Sequence, residues 1–236
     1  MSQEDFDVDS LAAYLHLDPQ KVARLAMRGK IPGRKVGGSW IFSGPEIHHW
    51  LEERIGVSDD QELVEVEGVL RSKVSGAQPR FLAEMLPLES IAIPLAARTR
   101  NSVISSMCDQ AAQTGLLWDA GKMADAVRAR EEMHPTALEN GVALLHPRRP
   151  MPGILGEAFL ALGCTPGGIP FGGSRGVLTD IFFLILATDD REHLHTLARL
   201  SRMITDADFL DQIRAATDAT TTREIFADKE VELADP

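Results

Sequence analysis

Val142-Ala143-Leu144-Leu145-His146 decides how this chain is read: a short apolar run with the length of a buried strand, and a histidine directly behind it. Upstream, helical patterns cover Asn101 to Gly115 and Ala120 to Glu132. Downstream, Asp180-Ile181-Phe182-Phe183-Leu184-Ile185-Leu186-Ala187 is apolar after its first residue, which predicts a central strand buried on both faces. Helices alternating with apolar strands predict a mixed sheet covered by helices on both faces, an α/β (α+β) fold.

The 236 residues exceed what this body needs, and the chain divides into a small and a medium domain. The expected boundaries are a head at 1–57, a linker at 58–80 and a body at 81–236. With 44% hydrophobic and 25% charged residues the composition is globular, and no apolar run is long enough to span a bilayer. The acidic start Met1-Ser2-Gln3-Glu4-Asp5 lacks the basic and apolar regions of a secretory signal, so a cytoplasmic protein is expected. Cys108 and Cys164 fit no redox or zinc spacing and are read as structural. The polar stretch from Gly56 to Arg80 reads as a linker, with one short ordered segment at Leu63 to Lys73.

A net charge of −11 excludes a chain that coats nucleic acid over its whole surface. Yet Lys21, Arg24, Arg28, Lys30, Arg34 and Lys35 fall between Pro19 and Pro45 with no Asp or Glu among them. A basic face on an acidic protein is a local site. Asp7 is placed to cap a first helix with Leu11, Ala12 and Leu15 inside, and Asp18-Pro19 to start a second with Val22, Leu25 and Ala26 inside. Gly29 stops that helix, and Arg34 to Phe42 reads as two strands around Gly37-Gly38. Ser43 and Glu46 form a capping box for a closing helix that returns Ile47, Trp50 and Leu51 to the core, with His48 and His49 at its surface and edge.

Val8 to Leu17, Val22 to Ile31 and Val36-Gly37-Gly38-Ser39-Trp40-Ile41 together resemble the excisionase and MerR-like winged helix-turn-helix family. The resemblance implies that the helix from Pro19 to Arg28 enters the major groove of DNA while Arg34 and Lys35 hold phosphate at the wing. Two such heads would fit a palindromic operator, so a homodimer is expected.

In the body, Arg130-Glu131, Thr136, Asn140-Gly141-Val142-Ala143 and His146 follow one another in the order of a second family. Gly168-Ile169-Pro170-Phe171, the Ile181 strand, His193-Leu194 and Leu197-Ala198 continue that order. These motifs resemble the mannitol/fructose and nitrogen-regulatory type of enzyme IIA domain of the phosphotransferase system, over roughly Leu82 to Phe226. The glycines from Gly167 to Gly176 lack a P-loop ending, so a hairpin or flap near the site is expected there.

The resemblance implies that His146 takes a phosphoryl group from an HPr-like phosphocarrier protein, with Arg130 offsetting charge on the phosphoryl oxygens and His193 donating a hydrogen bond to them. No metal and no cofactor is required. His134 and His195 are bystanders, and a zinc site built from the four histidines ranks last. Two departures stand out: Leu145 occupies the place where the family carries Pro, and Thr136-Ala137-Leu138-Glu139 replaces a Gly-rich segment. The combined expectation is a DNA-binding regulator whose IIA-like body is phosphorylated on His146. Its alternatives are a degenerate scaffold that binds partners without phosphate and an ordinary sugar-uptake phosphocarrier, the latter with a IIB-like partner.

Overall fold

The computed structural model describes residues 5–15, 17–44, 46–47, 50–51, 80–173 and 176–234, and the chain divides into two compact units, Met1–Ser75 and Gly76–Pro236. The expected linker lies outside the described residues except for residue 80, as do His48 and His49.

In the first unit, Asp7 accepts the Ser10 amide at 2.7 Å and starts α1 (Val8–Leu15), whose Leu11, Ala12 and Leu15 are buried. Asp18 accepts the amides of Gln20 and Lys21 at 2.8 and 3.3 Å and starts α2 (Pro19–Met27). These bonds satisfy amides that have no partner inside the helix. Val22 and Ala26 are fully inside, while Leu25 sits half-buried at the border of the apolar face. Gly29, at φ 66°, ends the helix. Strands β1 (Arg34–Val36) and β2 (Ser39–Ile41) pair antiparallel around Gly37-Gly38, both at positive φ as a two-residue hairpin turn requires. Helical residues at 44, 46–47 and 50–51 close the small core, where Ile47 and Leu51 join Phe42 and Ile31.

The second unit runs β3 (Ile91–Ala92), α3 (Arg100–Ala112), α4 (Ala120–Met133), β4 (Val142–Leu145), β5 (Phe159–Pro170), β6 (Leu178–Leu186), α5 (Asp190–Met203), α6 (Ala207–Ala215) and α7 (Ala219–Ala234). Its sheet has the order β3-β5-β6-β4, with β5 antiparallel to β6 and the two outer pairings parallel. The expected central strand is β6, whose residues from Ile181 to Leu186 are all buried. Alternation sends Phe182, Leu184 and Leu186 to one face, where Met107 of α3 and Val127 of α4 cover them. Phe183 takes the other face and meets Phe226 of α7 at 6.0 Å between ring centres, with Phe209 of α6 a further 5.8 Å from Phe226. Each such ring contributes about 2–3 kcal/mol of apolar burial.

Strand β6 begins at Leu178, earlier than its apolar run, because its first residues pair with the far end of β5 beyond a bulge between Cys164 and Ile169. Gly167 and Gly168 therefore lie within β5, and the expected hairpin is the return from β5 into β6. Both cysteines are free and buried, and burial pushes each thiol up to about 12.

Candidate functional site

Strands β4 and β6 run parallel with Leu145 opposite Leu184, so both deliver the chain to the same edge of the sheet. His146 is the first residue past β4. Beyond β6, Asp189 caps α5 by accepting the Glu192 amide at 2.9 Å, which sets His193 in the first turn of that helix. Carboxyl ends of neighbouring parallel strands are where α/β sheets collect functional side chains. Here they bring the two imidazoles together, 4.8 Å between ring centres and tilted by 53°. His146 is 2% exposed and His193 3%.

The His146 Nδ1 lies 2.8 Å from the Leu144 carbonyl oxygen. A carbonyl only accepts, so Nδ1 carries the proton and the neutral ring keeps its lone pair on Nε2. The backbone thereby selects which nitrogen is nucleophilic.

The segment that follows α4 meets β4 just ahead of His146. Ala137 bridges antiparallel to Ala143, and the Leu138 amide donates to the Val142 carbonyl at 2.8 Å. Arg130, in the last turn of α4 and 6% exposed, donates from Nη1 to the His134 carbonyl at 2.8 Å. Its guanidinium is thus tied to the backbone just ahead of the segment that bridges to β4. Gly172, at φ 98°, packs against Pro135 so closely that a Cβ there would lie 2.7 Å from the ring. The return from β5 therefore covers the 134–138 segment, where the sequence predicts a flap.

Both departures from the family pattern have a location. Leu145 pairs with β6 and points into the core beneath α3 and α4, so it is a packing residue. Glu139 is exposed. The His134 ring is exposed and turns to its own chain, with Nδ1 donating to the Pro135 carbonyl at 3.1 Å, and His195 is half-buried on α5. Among the described residues no three His, Cys, Asp or Glu side chains converge as a metal site would need.

One residue of this region carries no motif in the sequence. Arg100, at the start of α3, pairs with the Glu131 carboxylate at 3.0 Å and lies over the Phe171 ring at 5.5 Å. The only clue to it was that a buried Glu131 needs a cation.

In the head, Lys21, Arg24, Arg28, Lys30, Arg34 and Lys35 are all exposed. On α2 the spacing of Lys21, Arg24 and Arg28 puts them on one helix face. On the hairpin Lys35 sits opposite Trp40, with Nζ 5.4 Å from the ring, and Arg34 meets Asp5 at 3.2 Å in solvent, a pairing worth little.

Residues 84–229 match the family described as phosphoenolpyruvate-dependent sugar phosphotransferase system, EIIA 2, and residues 6–55 match the helix-turn-helix domain family. A nitrogen regulatory protein of Bradyrhizobium diazoefficiens is 28% identical over 149 residues, 60% of this chain and 95% of that protein. Among solved structures, nitrogen regulatory protein IIA-Ntr from Neisseria meningitidis superposes with a TM-score of 0.55 at 21% identity, over 61% of this chain and 98% of that one. IIA mannitol from Escherichia coli gives 0.53 at 19%, over 59% and 97%. The Escherichia coli complex of enzyme IIA mannitol with phosphorylated enzyme IIB mannitol gives 0.52 at 19%, over 61% and 99%. At these identities the structural likeness is one of fold. No helix among the described residues is long and apolar enough to cross a membrane.

Proposed function

This chain belongs to the EIIA 2 family of the phosphoenolpyruvate-dependent sugar phosphotransferase system, with a helix-turn-helix domain ahead of it, and on that premise we propose that His146 accepts a phosphoryl group from an HPr-type carrier. The observation that carries this reading is the buried His146–His193 ring pair at the ends of β4 and β6, with the His146 Nδ1 committed to Leu144.

The chemistry follows from that geometry. The Nε2 lone pair attacks the phosphorus of the carrier's phosphohistidine in line. The new N–P bond forms as the old one breaks, and the electron pair of the old bond returns to the carrier's imidazole. Charge gathers on the three equatorial oxygens, which Arg130 and His193 offset in a site shielded from water. No metal enters this scheme.

The head completes a cytoplasmic regulator. Helix α2 reads the major groove with Lys21, Arg24 and Arg28, Lys30 follows at its end, and Arg34 and Lys35 hold the phosphate backbone. Phosphate on His146 then biases DNA binding, and a homodimer presents two heads to one operator. A IIB-like or regulatory protein is a second partner for the phosphorylated body, since an Escherichia coli relative is known in complex with its IIB. Incubation with phosphoenolpyruvate, enzyme I and an HPr-like carrier, followed by mass spectrometry, is expected to find acid-labile phosphate on His146. Its absence there would reject the transfer role.

The burial of both rings favours one other reading, a scaffold that binds partners and no longer takes phosphate. A His146→Ala variant that still regulates normally would establish it; a variant locked in one DNA-binding state would exclude it.

A further inference from the structure

Glu131 and Thr136 belong to the motif that leads to His146, yet the transfer chemistry uses neither. Glu131 is 1% exposed, a burial that a carboxylate sustains only when its charge is answered. Three groups answer it. The Thr136 amide donates to Oε1 and Oε2 at 3.2 and 3.3 Å, and the Thr136 hydroxyl donates to Oε1. Arg100 reaches across from α3, donating from Nη2 to Oε2 at 3.0 Å and to the Glu131 carbonyl. Its guanidinium is itself held over Phe171, at the end of the Gly168–Phe171 motif.

The pair joins three otherwise separate pieces: the start of α3, the last turn of α4 and the segment that bridges to β4 at Ala143. Through Thr136 it holds the 134–138 segment, whose His134 carbonyl accepts from Arg130. We propose that Arg100 and Glu131 are a positioning pair for the transfer: their ion pair, through Thr136, holds the backbone to which the Arg130 guanidinium is bonded. This rests on His146 being the phosphoryl acceptor. Neither residue touches the phosphoryl group. Their effect lies in geometry, and misplacement of a stabilising group by an ångström costs on the order of a hundredfold in rate.

Single-turnover transfer from a phosphorylated HPr-type carrier to the full chain, at varied carrier concentration, tests the assignment. Arg100→Ala is expected to lower the maximal rate by about ten- to hundredfold with the half-saturating carrier concentration unchanged. Arg100→Lys, which keeps the charge, recovers most of that rate. Glu131→Gln loses as much as Arg100→Ala, and the double variant loses no more than either alone. Should Arg100→Ala fail to fold, the near-isosteric Lys and Gln variants carry the same comparison. An Arg100→Ala chain with the wild-type maximal rate, or losses that multiply in the double variant, would overturn the pair alone. A wild-type chain that takes no phosphate would overturn the acceptor reading and the pair together.

Discussion

The six cations of the head stand in solvent, whereas Arg130, His146 and His193 of the body are 6%, 2% and 3% exposed. The same chemical groups therefore act under different rules. An exposed charge is screened beyond about 8 Å at physiological salt, so under the proposed function the head would attract a polyanion by numbers and tolerate loose geometry. A buried one is felt strongly at contact distance, and in the body Leu144 and His134 hydrogen-bond His146 and Arg130 while Glu131 holds Thr136. Salt and single substitutions should separate the two regions.

The sharpest break is His146→Ala, expected to abolish acid-labile phosphate on the chain while the head still binds duplex DNA; mass spectrometry and gel shifts read the two. Next comes a buried pair away from the site. Glu230 of α7, 5% exposed, accepts the Leu82 and Ala83 amides at 2.6 and 3.0 Å and pairs with Arg199 of α5. Arg199→Ala leaves that charge without its cation and is expected to cost about 3 kcal/mol in denaturant unfolding of the body. A loss near zero would mean that buried charge in this unit is not held by its partners.

In the head, Arg34→Ala with Lys35→Ala is expected to lower the slope of log affinity against log salt by about two for duplex DNA, while phosphate transfer to His146 barely responds to salt. An unchanged slope would remove the wing from the phosphate interface. Asp18→Ala is smaller, about 1 kcal/mol in the unfolding of the head, because only an exposed cap is lost. Smallest of all is the reactivity of the thiols: with Cys108 and Cys164 raised by burial to about 12, neither is expected to react with a thiol reagent at pH 8 until the chain is denatured. Their raised values also set a sign. Stability contributed by the neutral thiols is intact below the ordinary value of 9.0 and erodes as pH rises from there toward about 12, which a pH series of melting curves would detect.

Much of this was readable in the residues where local rules dominate. The caps at Asp7 and Asp18, the stop at Gly29 and the turn at Gly37-Gly38 each depend on a few neighbours in the chain. The β6 strand announced itself because a segment covered on both faces has no polar side to show. By contrast β5 was not anticipated: Phe159 to Cys164 is apolar but runs into Gly167-Gly168, and only pairing with β6 across a bulge makes the whole stretch a strand. Leu145 and Glu139 looked alike as departures in one loop, and the fold separates them, one into the core and the other into solvent.

The sequence by itself determined the two regions, their local elements and the order of Arg130, His146 and His193, because periodicity, capping and motif spacing are properties of neighbouring residues. Tertiary structure alone decided that β4 and β6 end side by side, so that two imidazoles 47 residues apart come within 4.8 Å. It also decided that Arg100 answers Glu131. Strand direction, register and the need of a buried charge for a partner are settled only when the whole sheet is packed.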